Sequence, residues 1–276
     1  MYVNQTVLLA SPPMPHQPQP SLLRSIAFAF VLALFLTGTS GVGAQAPVVR
    51  VLCSNVIKEA VERLRPVFER ESGQRLAITY GASAELRRTA EGSQPFDLAL
   101  LTTGIVDDLS ANGVILTGSR TAIAQANLAV AVRADAPKSD VSTAAGMRQR
   151  LLGARSITYS RDGGGVPAIE RMIAALGIAT QVQSKIVKQS AAGRAAEAVA
   201  LGEEELAFAP LTEIVAVQGV QVLGLFPDEF QSPLAIASGV GAHAANPSGA
   251  RALAQFLLTA EAMRVIEATG MMRTRP

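Results

Sequence analysis

The residues best suited to do chemistry in this sequence are short, mostly uncharged and gathered at three turns. VLCSNVIKEA sets Ser54 and Asn55 between a β-rich run and a helical one, YGASAELRR does the same with Gly81, Ala82 and Ser83, and YSRDGGGVPAIERM puts Ser160, Arg161, the triplet 163–165 and Val166 ahead of a helix expected to start at Pro167. Backbone N–H groups in the first turn of a helix have no internal acceptor and carry the positive end of the helix dipole. An oxyanion can therefore dock there on hydrogen bonds alone. Glycine lets a ligand approach the backbone closely, and can supply a positive φ where one is needed; a serine hydroxyl adds a donor. The candidate ligand residues are thus Ser54, Asn55, Ala82, Ser83, Ser160, Gly164, Gly165 and Val166, with Arg161 as a side chain able to clamp a carboxylate through two parallel bonds. Valine at Gly164 or Gly165 is expected to weaken binding tenfold or more, about 1.4 kcal/mol, and to spare folding. Each residue also has a plainer reading: a serine ahead of a helix caps it, and Arg161 can pair with Asp162.

Other chemistries find little material. Beyond the first 44 residues there is one histidine, His243, and one cysteine, Cys53, so Ser-His-Asp, Cys-His and metal sites have almost nothing to draw on. His243, in GAHAANP, reads as a surface loop residue, and Cys53 as a buried strand thiol. The acidic groups Asp107-Asp108, Glu203-Glu204-Glu205 and Asp228-Glu229 read as solvated turns and helix faces. The glycine triplet lacks the lysine of G-x-x-x-x-G-K-[ST] and the spacing of G-x-G-x-x-G, which argues against a nucleotide loop. Net charge is +2 with no long basic run, which argues against nucleic acid. No catalytic residue, metal or cofactor is expected.

Turns of this kind need strands and helices to hold them. Strand patterns at 48–53, 76–80 and 96–101 alternate with a helix carrying Ile57, Ala60, Val61, Leu64 and Phe68, closed by Gly73, and a shorter one at 84–90. A second series has strands at 127–132, 156–160, 186–188 and 206–209 and helices at 168–176 and 192–201, closed by Gly177 and Gly202. A strand at 234–240 and a helix capped by Asn246, with Pro247 in its first turn and Leu253, Phe256 and Leu257 on it, close the chain. The fold class is α/β: two lobes, each a mainly parallel sheet flanked by helices, with ligand at the carboxyl ends of the strands between them. The expected lobes are 47–126 plus 233–276 and 127–232.

Arg24 precedes an apolar run at 26–36, too short to cross a bilayer at about 20 residues, and Val42-Gly43-Ala44 follows. Residues 1–44 read as a signal peptide cleaved before Gln45, with Met14 an equally good start, and the mature chain as periplasmic.

The order of phrases from 48 to 270 resembles periplasmic solute-binding proteins of the molybdate-binding type. It runs from the SN turn and GASAEL with FDLAL behind it, through NLAVAV and the glycine turn before a helix ending LGI, to GEEELAFAPLTEI, VQGVQVLGLFPDEFQ and FLLTAEAMRVIEATG. The resemblance implies a type 2 periplasmic binding fold. It also implies a monomer that closes over a small anionic ligand and hands it to the membrane subunits of an ABC-type permease. It points to Thr212, in Ala209-Pro210-Leu211-Thr212, as a further donor. The family's first turn ends its small-residue run in serine, whereas Cys53-Ser54-Asn55-Val56 displaces the hydroxyl; Ser83 matches better. The GRAAEA, GEEEL and PDEFQ phrases look closer to a divergent branch that binds or isomerises small polycarboxylates such as the aconitates, although Arg161 and Pro167 depart from it. An isomerase on this scaffold needs a proton-transfer residue near a substrate carbon, for which the sequence offers Tyr159, Glu213 and Ser83. A sensory module that reports ligand to another protein is a third reading.

Overall fold

The computed structural model describes residues 46–92, 94–190 and 193–274, so the expected signal peptide over 1–44 lies outside the described residues. β1 (Val48–Ser54) runs through a 3-10 turn (Asn55–Ile57) into α1 (Lys58–Ser72), which buries Ala60, Val61, Leu64 and Phe68 on one stripe. Gly73 ends that helix at φ +66°, a left-handed conformation that glycine adopts without strain. β2 (Arg75–Gly81), α2 (Ser83–Glu91), β3 (Leu98–Thr102), α3 (Thr103–Ala111) and β4 (Thr121–Ala126) follow. The chain then enters a second sheet with β5 (Leu128–Arg133), α4 (Ala144–Gly153), β6 (Ile157–Ser160), α5 (Val166–Ala175) and α6 (Ala179–Val182). β7 (Ile186–Gln189), α7 (Arg194–Ala200), β8 (Leu206–Pro210), α8 (Leu211–Val215) and β9 (Val220–Leu225) complete that part. β10 (Leu234–Val240), α9 (Pro247–Phe256), α10 (Ala260–Ala268) and β11 (Met271–Arg273) return to the first sheet. No described helix is long and apolar enough to cross a membrane.

The strand orders are β11-β4-β10-β3-β1-β2 and β7-β6-β8-β5-β9. The two-lobed α/β architecture is as expected, but the sheets are mixed rather than mainly parallel. β1 pairs in parallel with β2 and β3, and β6 with β7 and β8, whereas β10 is antiparallel to β3 and β4, and β5 to β8 and β9. The reason is the crossing itself. Strands β1, β3, β6 and β8 run toward the space between the sheets, and the strands that enter a sheet from that space, β5 and β10, must run away from it.

The passages from β4 to β5 and from β9 to β10 lie side by side and are clamped. Leu128 N–H donates to Gln231 Oε1 at 2.9 Å, Gln231 Nε2 donates to Leu128 O at 3.0 Å, and Phe226 N–H reaches the same carbonyl at 3.1 Å. Phe226 also meets Phe208 of β8 edge-on, with ring centroids 5.2 Å apart.

The elements that sequence periodicity passes over are weakly patterned. β4 is TAIAQA, poor in β-branched residues; α4 buries only Met147 and Leu151; β9 is a partly exposed strand at a sheet edge; and β11 has three residues. α3 and α10 are short helices that the strand-to-strand reading passes over.

Candidate functional site

The ends of β1, β2, β3, β6 and β8 converge on a cavity of about 30 Å³ between the two sheets. On the first-sheet side its wall is Ser54, Asn55 and Val56 after β1, Ala82 and Ser83 after β2, and Thr102 at the end of β3. Facing them are Ser160 and the segment 163–166 after β6, Ala209 and Pro210 at the end of β8, and Glu213 on α8; Leu128, Tyr159, Ile169, Ala195 and Phe208 supply the apolar remainder.

Ser54 is buried and its Oγ accepts from Val56 N–H at 3.4 Å, so it caps the 3-10 turn. Ser83 is different. The N-cap of α2 is Ala82, and Ser83 Oγ accepts from Thr102 N–H at 3.1 Å, tying the β2–α2 turn to the end of β3. In both serines the oxygen is spent as an acceptor, which leaves the hydroxyl proton for another partner.

The glycine turn is ordered by its own bonds. Val166 N–H donates to Gly163 O at 3.1 Å and Pro167 has no N–H, while the N–H groups of Asp162, Gly163, Gly164 and Gly165 meet no acceptor among the described residues. None of the three glycines has a positive φ; Gly165 sits at φ −81°, ψ −11°. Close approach explains them instead. A Cβ on Gly164 would lie 3.3 Å from Thr102 Cγ2 and 3.4 Å from Leu234 Cδ2, both in the other sheet, and one on Gly165 would lie 2.7 Å from Leu128 Cδ2. The expectation that valine at Gly165 spares folding is therefore corrected: the position is buried against a core leucine.

Two expected residues do not reach the cavity. Arg161 is exposed, because its backbone N–H donates to Gln189 O at 2.8 Å and extends the β6–β7 ladder, and among the described residues no ion pair joins it to Asp162. Thr212 is buried with its Oγ1 unpaired among the described residues. It precedes Glu213 on a helix, so the two side chains point about 100° apart, and Glu213 takes the cavity.

Among the described residues Glu213 is the charged residue in the wall, where no Lys, Arg or His stands. Burial raises its carboxyl from 4.5 to about 7, while the Gly193 N–H donated to it pulls the other way. Sequence offered it only as a possible proton carrier, because a glutamate in the first turn of a helix is ordinarily a solvated partner of the dipole. Tyr159 is buried, and desolvation raises its phenol, partly offset by Lys188. The apolar wall, Leu128 and Phe208 above all, carries no sequence signal that separates it from core.

Elsewhere the described residues agree with the plainer readings. Cys53 is buried and desolvation pushes its thiol up; His243 is exposed; Asp107 and Asp108 pair with Arg120 and Arg87, and Glu203 with Arg194. Glu205 departs from a solvated face: it is partly buried, pairs with Arg150 at 2.8 Å and accepts from Arg155 N–H at 2.7 Å. No cluster of metal-ligating side chains occurs among the described residues.

Two sheets joined by a double crossing, with helix starts facing one another across a small cavity, define a two-lobed periplasmic binding fold. The chain belongs to the bacterial extracellular solute-binding proteins, whose family model matches residues 49–272. It is 30% identical over 246 residues, 87% of this chain and 93% of the relative, to a protein from Pseudomonas sp. named aconitate isomerase. Among solved structures it is similar to the periplasmic molybdate-binding protein of Azotobacter vinelandii, with TM-score 0.70 and 21% identity over 82% of this chain and 100% of that one. It is also similar to the sulfate-binding protein SubI of Mycobacterium tuberculosis, with TM-score 0.66 and 17% identity over 83% of this chain and 88% of that one.

Proposed function

We propose that the protein is the extracytoplasmic receptor of an ABC-type importer and takes a small oxyanion or small carboxylate between its lobes. The observation that carries this is the convergence of two hydroxyl-bearing turns of one sheet and the glycine turn of the other on one cavity. Such turns hold an anion by N–H and O–H donors and need no cation. Ser54, Asn55, Ala82 and Ser83 would grip it from one side, and Ser160, Gly164 and Gly165 from the other. A ligand held by both lobes stabilises their contact, since only differential contacts shift an open–closed equilibrium. The moving bodies would be 47–126 with 233–276 and 127–232, turning about the crossings at Asn127 and Gln231; the chain would be a monomer exported by residues 1–44. A single buried water fills about 10–15 Å³, and about 30 Å³ of room is taken here to suit a tetrahedral oxyanion or one carboxylate group, while a tricarboxylate would hold the lobes further apart. A thermal-shift screen against molybdate, tungstate, sulfate, phosphate and di- and tricarboxylates tests this. A ligand at a hundred times its Kd stabilises the folded form by about 2.7 kcal/mol, and a screen without any shift would sink the reading.

A second reading, an isomerase of small polycarboxylates, is favoured by the relative named aconitate isomerase and by Glu213, whose carboxyl at about 7 can take and return a proton near neutrality. Proton NMR of cis-aconitate incubated with the protein decides it: trans isomer forming above the spontaneous rate supports it, and an unchanged spectrum excludes it for that substrate.

A further inference from the structure

We infer that Glu213 is the specificity-determining residue of this cleft: it holds a proton shared with the bound anion, so that each anion captured brings one proton into the closed site. The inference rests on the reading of the cavity as an anion site.

An ionised carboxylate only accepts hydrogen bonds, and so do the oxygens of a fully ionised oxyanion or carboxylate. Face to face in a narrow cavity, the two repel and leave lone pairs unpaired, which costs more there than in water. One proton between them replaces that repulsion with a short charge-assisted O–H···O bond. A cation in the wall would serve as well, but among the described residues the wall has none.

The charged groups on neighbouring elements lie outside the wall: Arg161 and Asp162 of the glycine turn are exposed, and the others are engaged elsewhere. Lys58, after the 3-10 turn, stands over the Tyr80 ring, and Arg133 of β5 binds Asp135. Arg194 of α7 binds Glu197 and Glu203, Lys188 of β7 binds Glu170, and Arg273, beyond α10, binds Glu267. Tyr159 is the other titratable group of the wall, and burial keeps its phenol protonated. Desolvation and the Gly193 N–H set the state of Glu213, and among the described residues no neighbouring charge contributes. Its carboxyl is thus poised to be protonated by a modest further push, which a bound anion supplies.

The balance is simple: ionised Glu213, one proton from solvent and the anion give the protonated carboxyl bonded to the anion. Where the ligand carries its own acidic proton, that proton fills the same place and none is drawn from solvent. The sign follows. The bound anion raises the carboxyl further above about 7, so affinity is full below 7 and falls as pH rises through and beyond it, toward tenfold per unit.

The test is isothermal titration calorimetry on the full chain with molybdate, sulfate, fumarate and trans-aconitate, the last corrected for its own ionisation. Titrations run from pH 6 to 8.5 in pairs of buffers that differ in ionisation enthalpy. A probe that binds is expected to take up close to one proton at pH 8 and to lose affinity above pH 7 by several-fold to tenfold per unit. Glu213→Gln, whose amide donates at every pH, is expected to bind the same probe with a flat pH profile. Binding by the wild type without proton uptake and with a flat profile would overturn the inference and leave the anion site standing. A folded Glu213→Gln protein that kept the pH dependence would place the proton on another group and overturn it too. No binding by any probe at any pH would remove the anion reading and this inference together. The proton count needs only the wild type, so a variant that failed to fold would not spare the inference.

Discussion

Ser83 holds one bond of the fold and is proposed to make another to the ligand, and the two can be separated. Its Oγ accepts from Thr102 N–H at 3.1 Å, so Ser83→Ala strands a backbone donor at the end of β3 and should lower the unfolding free energy by about 1–3 kcal/mol. If the hydroxyl proton also reaches the ligand, affinity should fall tenfold or more, about 1.4 kcal/mol. Denaturant melts and calorimetry on the same variant read the two effects; lost stability with intact affinity would make Ser83 a strut alone. Glu213 makes a prediction without any ligand. Its folded-state carboxyl lies at about 7 against an ordinary 4.5, so the folded protein binds more protons than the unfolded chain between those values and stability falls as pH rises through that window. Glu213→Gln should melt higher than wild type at pH 8 and lose that advantage near pH 5. Equal melting temperatures at pH 8 would show that the carboxyl is solvated.

At the scale of elements, the turn between β6 and α5 is where two glycines have different reasons. Gly165 faces Leu128, and a Cβ 2.7 Å from its methyl must displace the core; Gly165→Val should cost about 1–3 kcal/mol of stability, and any loss of affinity would be confounded with it. A Cβ on Gly164 would meet Thr102 Cγ2 across the cleft at 3.3 Å, a tight contact that a small shift relieves. Gly164→Ala therefore pushes on the contact between lobes and not on a core. Its unliganded melting temperature should stay close to wild type while affinity drops severalfold, because the added methyl penalises only the closed arrangement. Unchanged affinity would mean that the turn does not meet the other lobe when ligand is bound.

At the scale of the whole molecule, the proposed closure must pass through the two crossings. Gln231 bonds both the N–H and the carbonyl of Leu128, so the two crossings are tied together and would turn as one unit in the proposed closure. Gln231→Ala should lower stability by about 1–2 kcal/mol and let the crossings move independently. Small-angle scattering should then show a larger radius of gyration for the unliganded variant than for wild type, with saturating ligand drawing both to the same compact value. Identical curves without ligand would make Gln231 a local brace with no part in closure.

Much of this was written in the chain itself. Alternating strand and helix periods, Gly73, Gly177 and Gly202 as helix stops and Asn246 as a cap state their conformations locally, which is why the two α/β lobes were legible from them. The turns with exposed donors were legible for the same reason: a helix start leaves N–H groups over whatever the fold places there. Tertiary structure decided the rest, because it depends on which distant segments meet. The antiparallel strands follow from the path of the crossings; Ser83 bonds Thr102 instead of capping its own helix; Gly164 and Gly165 are glycines because Thr102 and Leu128 come close, and not because of their own φ. Arg161 turns to solvent as its backbone joins a ladder, and Glu213, one glutamate among many in the sequence, becomes the charge in the wall because α8 rolls that side chain, and not Thr212, toward the cavity. Local propensity sets the elements, but only packing between them decides which side chains share a space.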